Sequence, residues 1–151
     1  MLTIERSVST EAEMEALGAS LAARLGGTRL VYLHGPLGAG KTTLVRGMLR
    51  ALGHAGAVKS PTFTLVEPYA LPDLRVYHFD LYRLNDPEEL ELMGVRDYFP
   101  QGVCVVEWAE RAHGFLPDPD VDVMIQPNAM QRTVRMTART SIGENTLDAF
   151  S

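Results

Sequence analysis

The sequence predicts an α/β domain, and three stretches carry that prediction. At 29–33 the run RLVYL suits a buried strand, the glycine-rich GPLGAGKT follows at 35–42, and 42–52 (TTLVRGMLRAL) has helical spacing, with Leu44, Val45, Met48, Leu49 and Leu52 on one side. Strand, glycine loop and helix in that order make one supersecondary unit. At 103–106, VCVV is a continuous apolar run suited to a strand buried on both faces. Met14, Leu17, Leu21 and Leu25 form a second apolar stripe at helical spacing, which reads as core packing.

The elements follow in order. Residues 2–8 read as a first strand. Thr10 and Glu13 form a capping box for the helix that carries the Met14 stripe, and Gly26-Gly27 ends it. After the glycine-loop helix, 53–60 is a loop. Residues 62–67 and 74–79 are strand candidates separated by Pro68 and Pro72, close enough to suggest a hairpin-like pair. Asp86-Pro87-Glu88-Glu89 opens a short helix, with a capping acid and proline in the first turn, and Gly94 closes it. Residues 121–125 and 133–138 are the last strands. With no repeat and no linker, the expected organisation is one domain over 1–138 and a flexible tail over 139–151.

Composition narrows the function classes. The 151 residues are 46% hydrophobic, enough to build a core without staples. The single cysteine, Cys104, reads as a small buried hydrophobe, so no disulfide framework is expected. There is no basic stretch leading into an apolar one at the N-terminus and no 18-residue apolar run, so a soluble cytoplasmic protein with no membrane association is expected. Net charge is −5 with no Lys/Arg tract, which argues against a protein that grips DNA or RNA unaided. Only two of the fourteen basic residues are lysine, Lys41 and Lys59, so lysine stands where a compact ammonium is needed to reach phosphates.

GPLGAGKT fits G-x-x-x-x-G-K-[ST], the phosphate loop of P-loop nucleotide hydrolases, and commits the chain to a triphosphate ligand. Gly35, Pro36, Leu37, Gly38, Ala39 and Gly40 would turn backbone N–H groups around phosphate oxygens. The helix beginning Lys41, Thr42, Thr43 adds its unpaired donors and positive dipole end. Lys41 would bridge the β- and γ-phosphates and the Thr42 hydroxyl would ligate Mg²⁺.

Two acids end apolar runs. Glu107 follows VCVV, so a parallel strand would deliver it to the carboxyl edge of the sheet beside Thr42, to hold Mg²⁺ directly or through water. Asp80 closes RVYHFD, where alternation puts His78 on the same face, and it could face a hydrated Mg²⁺ or an attacking water. His78 and Asp80 mimic a transition-metal pair, but no further His/Cys cluster supports them. In KSPTFT at 59–64, Pro61 extends Ser60 and presents Thr62 where nucleotide switches place a γ-phosphate-sensing threonine, although an ordinary strand lead-in fits the residues as well.

KSPTFTLVEPY (59–69), HFDLYRL (78–84), EELELMG (88–94) and VVEWAER (105–111), in that order behind GPLGAGKTT, resemble the TsaE family, also called YjeE. These are the small ATPases of the bacterial machinery that makes threonylcarbamoyladenosine in tRNA, and the resemblance spans roughly residues 4–116. It implies a mixed P-loop sheet with helices on both faces, ATP and Mg²⁺ binding, and weak hydrolysis by the isolated protein. It also implies action through TsaB and TsaD on position 37 of tRNAs that read codons beginning with adenine, with tRNA met only through the complex. The family's nucleotide-site residues fall on Lys41, Thr42, Thr62, Asp80 and Glu107. Two departures are Pro36, where members commonly carry an acid, and Ala109, where they commonly carry proline. Pro36 removes a charge and an N–H from the lip of the loop without touching phosphate binding.

The expected mechanism places the loop amides and Lys41 on the phosphates, Mg²⁺ on Thr42 and Glu107, and Asp80 on the attacking water, with hydrolysis releasing Thr62. A small nucleotide or metabolite kinase is the first alternative, but it needs an acceptor pocket and usually a basic lid, and only the spaced Arg132, Arg135 and Arg139 come late in the chain. A GTPase would need an Asn-Lys-x-Asp reader, which is absent. An ATP-dependent binding module with incidental hydrolysis is the third, and Glu107 or Asp80 substitutions separate it from a hydrolase. Trp108, beside Glu107, is a candidate fluorescence reporter.

Overall fold

A computed structural model describes residues 2–150. Its centre is a seven-stranded mixed sheet in the order β1-β7-β6-β2-β5-β4-β3. The strands are β1 (Thr3–Val8), β2 (Leu30–His34), β3 (Val66–Ala70), β4 (Arg75–Asp80), β5 (Val103–Glu107), β6 (Val121–Pro127) and β7 (Arg132–Ala138), and the helices are α1 (Glu11–Ala23), α2 (Lys41–Ala51), α3 (Glu88–Leu92) and α4 (Ser141–Asp148). The four inner strands β6, β2, β5 and β4 run parallel, whereas β1 on β7, β7 on β6 and β3 on β4 pair antiparallel.

Alternation along the inner strands builds two cores. Val31, Leu33, Val103, Val105, Val121, Val123 and Ile125 face α1 and α2, which supply Met14, Leu17, Leu21, Leu44, Val45, Met48 and Leu49. Leu30, Tyr77, Phe79, Cys104 and Val106 face the other way, under Leu90 of α3 and the short 3-10 turns around Val95 and Ala112. Burial pushes the Cys104 thiol up to about 12, in keeping with its reading as a packed hydrophobe.

α1 starts as the capping box predicts: the Thr10 hydroxyl accepts from the Glu13 N–H at 3.1 Å, while the Glu13 carboxylate accepts from the Ser9 N–H rather than from Thr10. α1 and α2 pack with their backbones touching. A Cβ built on Gly47 would lie 2.1 Å from the Glu15 carbonyl oxygen, and one on Gly18 would lie 2.1 Å from that of Leu44. No side chain fits at either position.

Two expectations are corrected. The strand expected at 62–67 is a turn as far as Thr64, because the Leu65 N–H bonds back to the Pro61 carbonyl and Leu65 takes a left-handed φ of 68°; the strand begins at Val66. The hairpin with β4 stands, in the register Val66↔Phe79. The tail expected to be loose over 139–151 contains α4. Thr140 caps it by accepting from the Gly143 N–H, buried Leu147 joins the α1/α2 core, and the buried Thr146 hydroxyl bonds Thr28 and the Leu25 carbonyl.

Candidate nucleotide site

The loop from Gly35 to Gly40 joins the carboxyl end of β2 to the first turn of α2, with Gly40 in a left-handed conformation just before Lys41. Gly35 has φ of 150°, and a Cβ there would sit 2.7 Å from the Ile125 carbonyl oxygen, so the loop can leave the sheet this way only at glycine. The Ala39 N–H bonds the Pro36 carbonyl and Ala39 is buried, which tightens the turn, while Leu37 projects into solvent. Thr42 and Thr43 are half-buried in the first turn of α2.

The parallel register aligns the other predicted groups on this edge. Leu33 pairs with Glu107, and Glu107 with Asp80, so both acids end their strands next to the start of the loop. Lys41 is buried and folds back: Nζ donates to the Gly35 carbonyl at 2.7 Å, lies 3.7 Å from Glu107 Oε1 and sits 4.4 Å from the Trp108 ring centroid. Asp80 Oδ1 accepts from the Tyr82 N–H at 3.0 Å, and Oδ2 accepts from the Thr62 hydroxyl at 3.4 Å. Ser60 Oγ lies 2.8 Å from that hydroxyl, and the Asp80 N–H bonds the Leu65 carbonyl, so the 61–65 turn is fastened to the end of β4 at two points. Trp108 turns the chain at the end of β5 with φ of 59°, and its indole meets the Tyr82 ring edge-on. A cavity of about 380 Å³ opens beside the loop, with Pro36, Lys41 and Trp108 in its wall.

Three features escape the motif reading. His78 does share a face with Asp80, but it is fully buried and its Nε2 lies 2.5 Å from Glu107 Oε2, which removes it from any metal pair with Asp80. Among the described residues no group of three His, Cys, Asp or Glu is arranged to hold a metal ion unaided. Arg132 reaches across from β7 to donate to the Gly38 carbonyl at 3.3 Å, and its side chain passes 3.8 Å from the position of a Cβ on Gly40. The third is a larger cavity, about 680 Å³, on the opposite face of the sheet, where His34 Nε2 meets Asp122 at 2.8 Å and Arg139 meets the other Asp122 oxygen at 2.7 Å. Burial raises the Asp122 pKa, but the hydrogen bonds and charges of His34 and Arg139 outweigh it and hold the carboxyl below its ordinary value.

The groups that could hold a nucleotide and a cation are of the right chemistry. Lys41 is a buried ammonium with a single close acceptor, and the oxygen donors of Thr42, Asp80 and Glu107 suit a hard cation such as Mg²⁺ rather than a soft one.

Comparison with known proteins agrees with this architecture. Residues 8–135 match the family "Threonylcarbamoyl adenosine biosynthesis protein TsaE". The chain is 54% identical over 123 residues to the tRNA threonylcarbamoyladenosine biosynthesis protein TsaE of Haemophilus influenzae, covering 81% of this chain and 78% of that one. It is 40% identical over 122 residues to the corresponding protein of Bacillus subtilis, covering 80% and 75%. The crystal structure of Bacillus subtilis YdiB superposes with a TM-score of 0.82 at 28% identity, over 98% of this chain and 93% of the other. A mixed sheet carrying GPLGAGKT between β2 and α2, matched over most of its length by these relatives, belongs to the TsaE family of threonylcarbamoyladenosine biosynthesis proteins.

Proposed function

We propose that this chain binds ATP with Mg²⁺, hydrolyses it weakly by itself, and acts in the cytoplasm with TsaB and TsaD in forming the threonylcarbamoyl modification of adenosine 37 in tRNAs that read codons beginning with adenine. The observation that carries the reading is the buried Lys41, whose ammonium has one carbonyl at hydrogen-bond distance and a carboxylate at 3.7 Å, at the mouth of a loop shaped for phosphates. An ammonium so sparsely bonded favours an anion.

In this reading the loop amides and Lys41 receive the β- and γ-phosphates, and the Thr42 hydroxyl and Glu107 would hold the cation. Bound there, Mg²⁺ supplies positive charge against the phosphate oxygens. Asp80 orients the attacking water and accepts its proton. Because one Asp80 oxygen already accepts from Thr62, a change in the charge facing Asp80 is felt directly by the 61–65 turn, and the useful product is a conformational change passed to a partner. Arg132, fastened to Gly38, adds a fixed positive charge at the lip of the loop. Net charge of −5 fits contact with tRNA through the complex rather than alone.

The test is ATP hydrolysis by the purified chain, alone and with TsaB and TsaD, with Lys41→Ala as control. Slow turnover alone, strong stimulation by the pair and a loss of at least about 100-fold in the variant are expected. Rapid turnover indifferent to both partners would point instead to an independent hydrolase.

A further inference from the structure

We infer that His78 is a positioning residue for Glu107, aiming one carboxylate oxygen at the phosphate-loop lysine by holding the other. The inference rests on the proposed role of Glu107 at the cation.

His78 lies on β4 two register positions inside the Asp80↔Glu107 pair, opposite Val105, and its side chain shares their face of the sheet. Its Nε2 is 2.5 Å from Glu107 Oε2, while Oε1 lies 3.7 Å from Lys41 Nζ. The two glutamate oxygens are therefore divided, one toward the core and one toward the site. A glutamate ending a strand keeps three side-chain torsions, and the bond to a buried imidazole is what selects among them.

Packing alone does not account for this residue. His78 is 0% exposed, and its Nδ1 is buried with no hydrogen-bond partner among the described residues. An aliphatic side chain would fill the position without stranding a polar atom, and a stranded polar atom destabilises a core. An ionised carboxylate only accepts, so the hydrogen between the two groups belongs to Nε2, which donates to Glu107. Groups that orient a metal-binding carboxylate in this way typically change metal affinity by 10–100-fold when removed.

The experiment measures binding of a non-hydrolysable ATP analogue by calorimetry, in EDTA and across a Mg²⁺ titration, for the wild type, His78→Leu, His78→Gln, Glu107→Gln and the double variant His78→Gln/Glu107→Gln, with melting curves as the check on folding. The glutamine amide can present a donor near the place of Nε2, and leucine cannot. The expected result for His78→Leu is binding in EDTA within about twofold of wild type and a Mg²⁺ requirement raised at least roughly tenfold; His78→Gln recovers most of it. The proposal is overturned if His78→Leu folds and keeps the wild-type Mg²⁺ requirement. Should the leucine variant not fold, the remaining chains decide: the residual rise in Mg²⁺ requirement of His78→Gln must disappear in the Glu107→Gln background, and a rise of equal size in both backgrounds, or none in either, overturns the coupling. A wild type that binds equally in EDTA and Mg²⁺, or a Glu107→Gln variant with an unchanged Mg²⁺ requirement, overturns the underlying role of Glu107 and this inference with it.

Discussion

The molecule carries two clusters built from the same chemistry, a histidine, a carboxylate and a cation, on opposite faces of one sheet. Lys41, Glu107 and His78 have side chains 6%, 5% and 0% exposed, whereas Arg139, Asp122 and His34 are 50%, 20% and 25% exposed. In the exposed cluster both Asp122 oxygens take close partners, at 2.8 and 2.7 Å, and solvent completes the rest. In the buried one the cation and carboxylate stop at 3.7 Å and one imidazole nitrogen has no partner among the described residues. Burial of charge is costly unless it is paired and hydrogen-bonded, so the incompletely paired cluster, not the satisfied one, has the more to gain from a charged partner. Completeness of pairing, rather than residue type, separates the candidate site from the surface.

Substituting the carboxylates should break that comparison most sharply. Glu107→Gln is expected to reduce hydrolysis by roughly 10²–10³-fold while ATP remains bound within a few-fold, measured as single-turnover rate against nucleotide affinity. The contrast depends on α2 being fixed, so Gly47→Ala, which drives a Cβ into the Glu15 carbonyl, should destabilise the fold by about 3 kcal/mol, or roughly 6–12 °C in melting temperature. The smallest effect is expected from Asp122→Asn: hydrolysis within about twofold of wild type and stability about 0.5–1 kcal/mol lower at pH 7. The folded-state pKa of Asp122 is depressed, so its contribution is present above the unfolded value near 4 and is lost as pH falls through the folded one. Denaturation curves of the two proteins should therefore converge in acid.

Much of this was legible in the sequence because the signals are local. The strand, loop and helix around Gly35 declare themselves through periodicity and glycine spacing, the Thr10 cap through a four-residue pattern, and the parallel strand of Glu107 through an unbroken apolar run. What stayed hidden depends on contacts between distant residues. α4 has a weak apolar stripe with Ile142 exposed, and its docking rests on the Thr146 to Thr28 bond, 118 residues apart. His78 meets Glu107 only through the register of β4 on β5, and Arg132 meets Gly38 across 94 residues. The first residues of the strand expected at 62–67 form a turn instead: Thr62, Phe63 and Thr64 favour extended structure, but the backbone bond from Leu65 to Pro61 and the fastening to Asp80 decide otherwise.

The interlocked backbones at Gly18 and Gly47 have a mechanical consequence. With no side chain between them, α1 and α2 cannot slide past each other without collision, so the phosphate loop is bolted to the larger core and behaves as a fulcrum. The turn beside it lacks such a lock and is held to β4 by the hydroxyl of Thr62 and the main chain of Leu65, with Phe63 82% exposed at its crest.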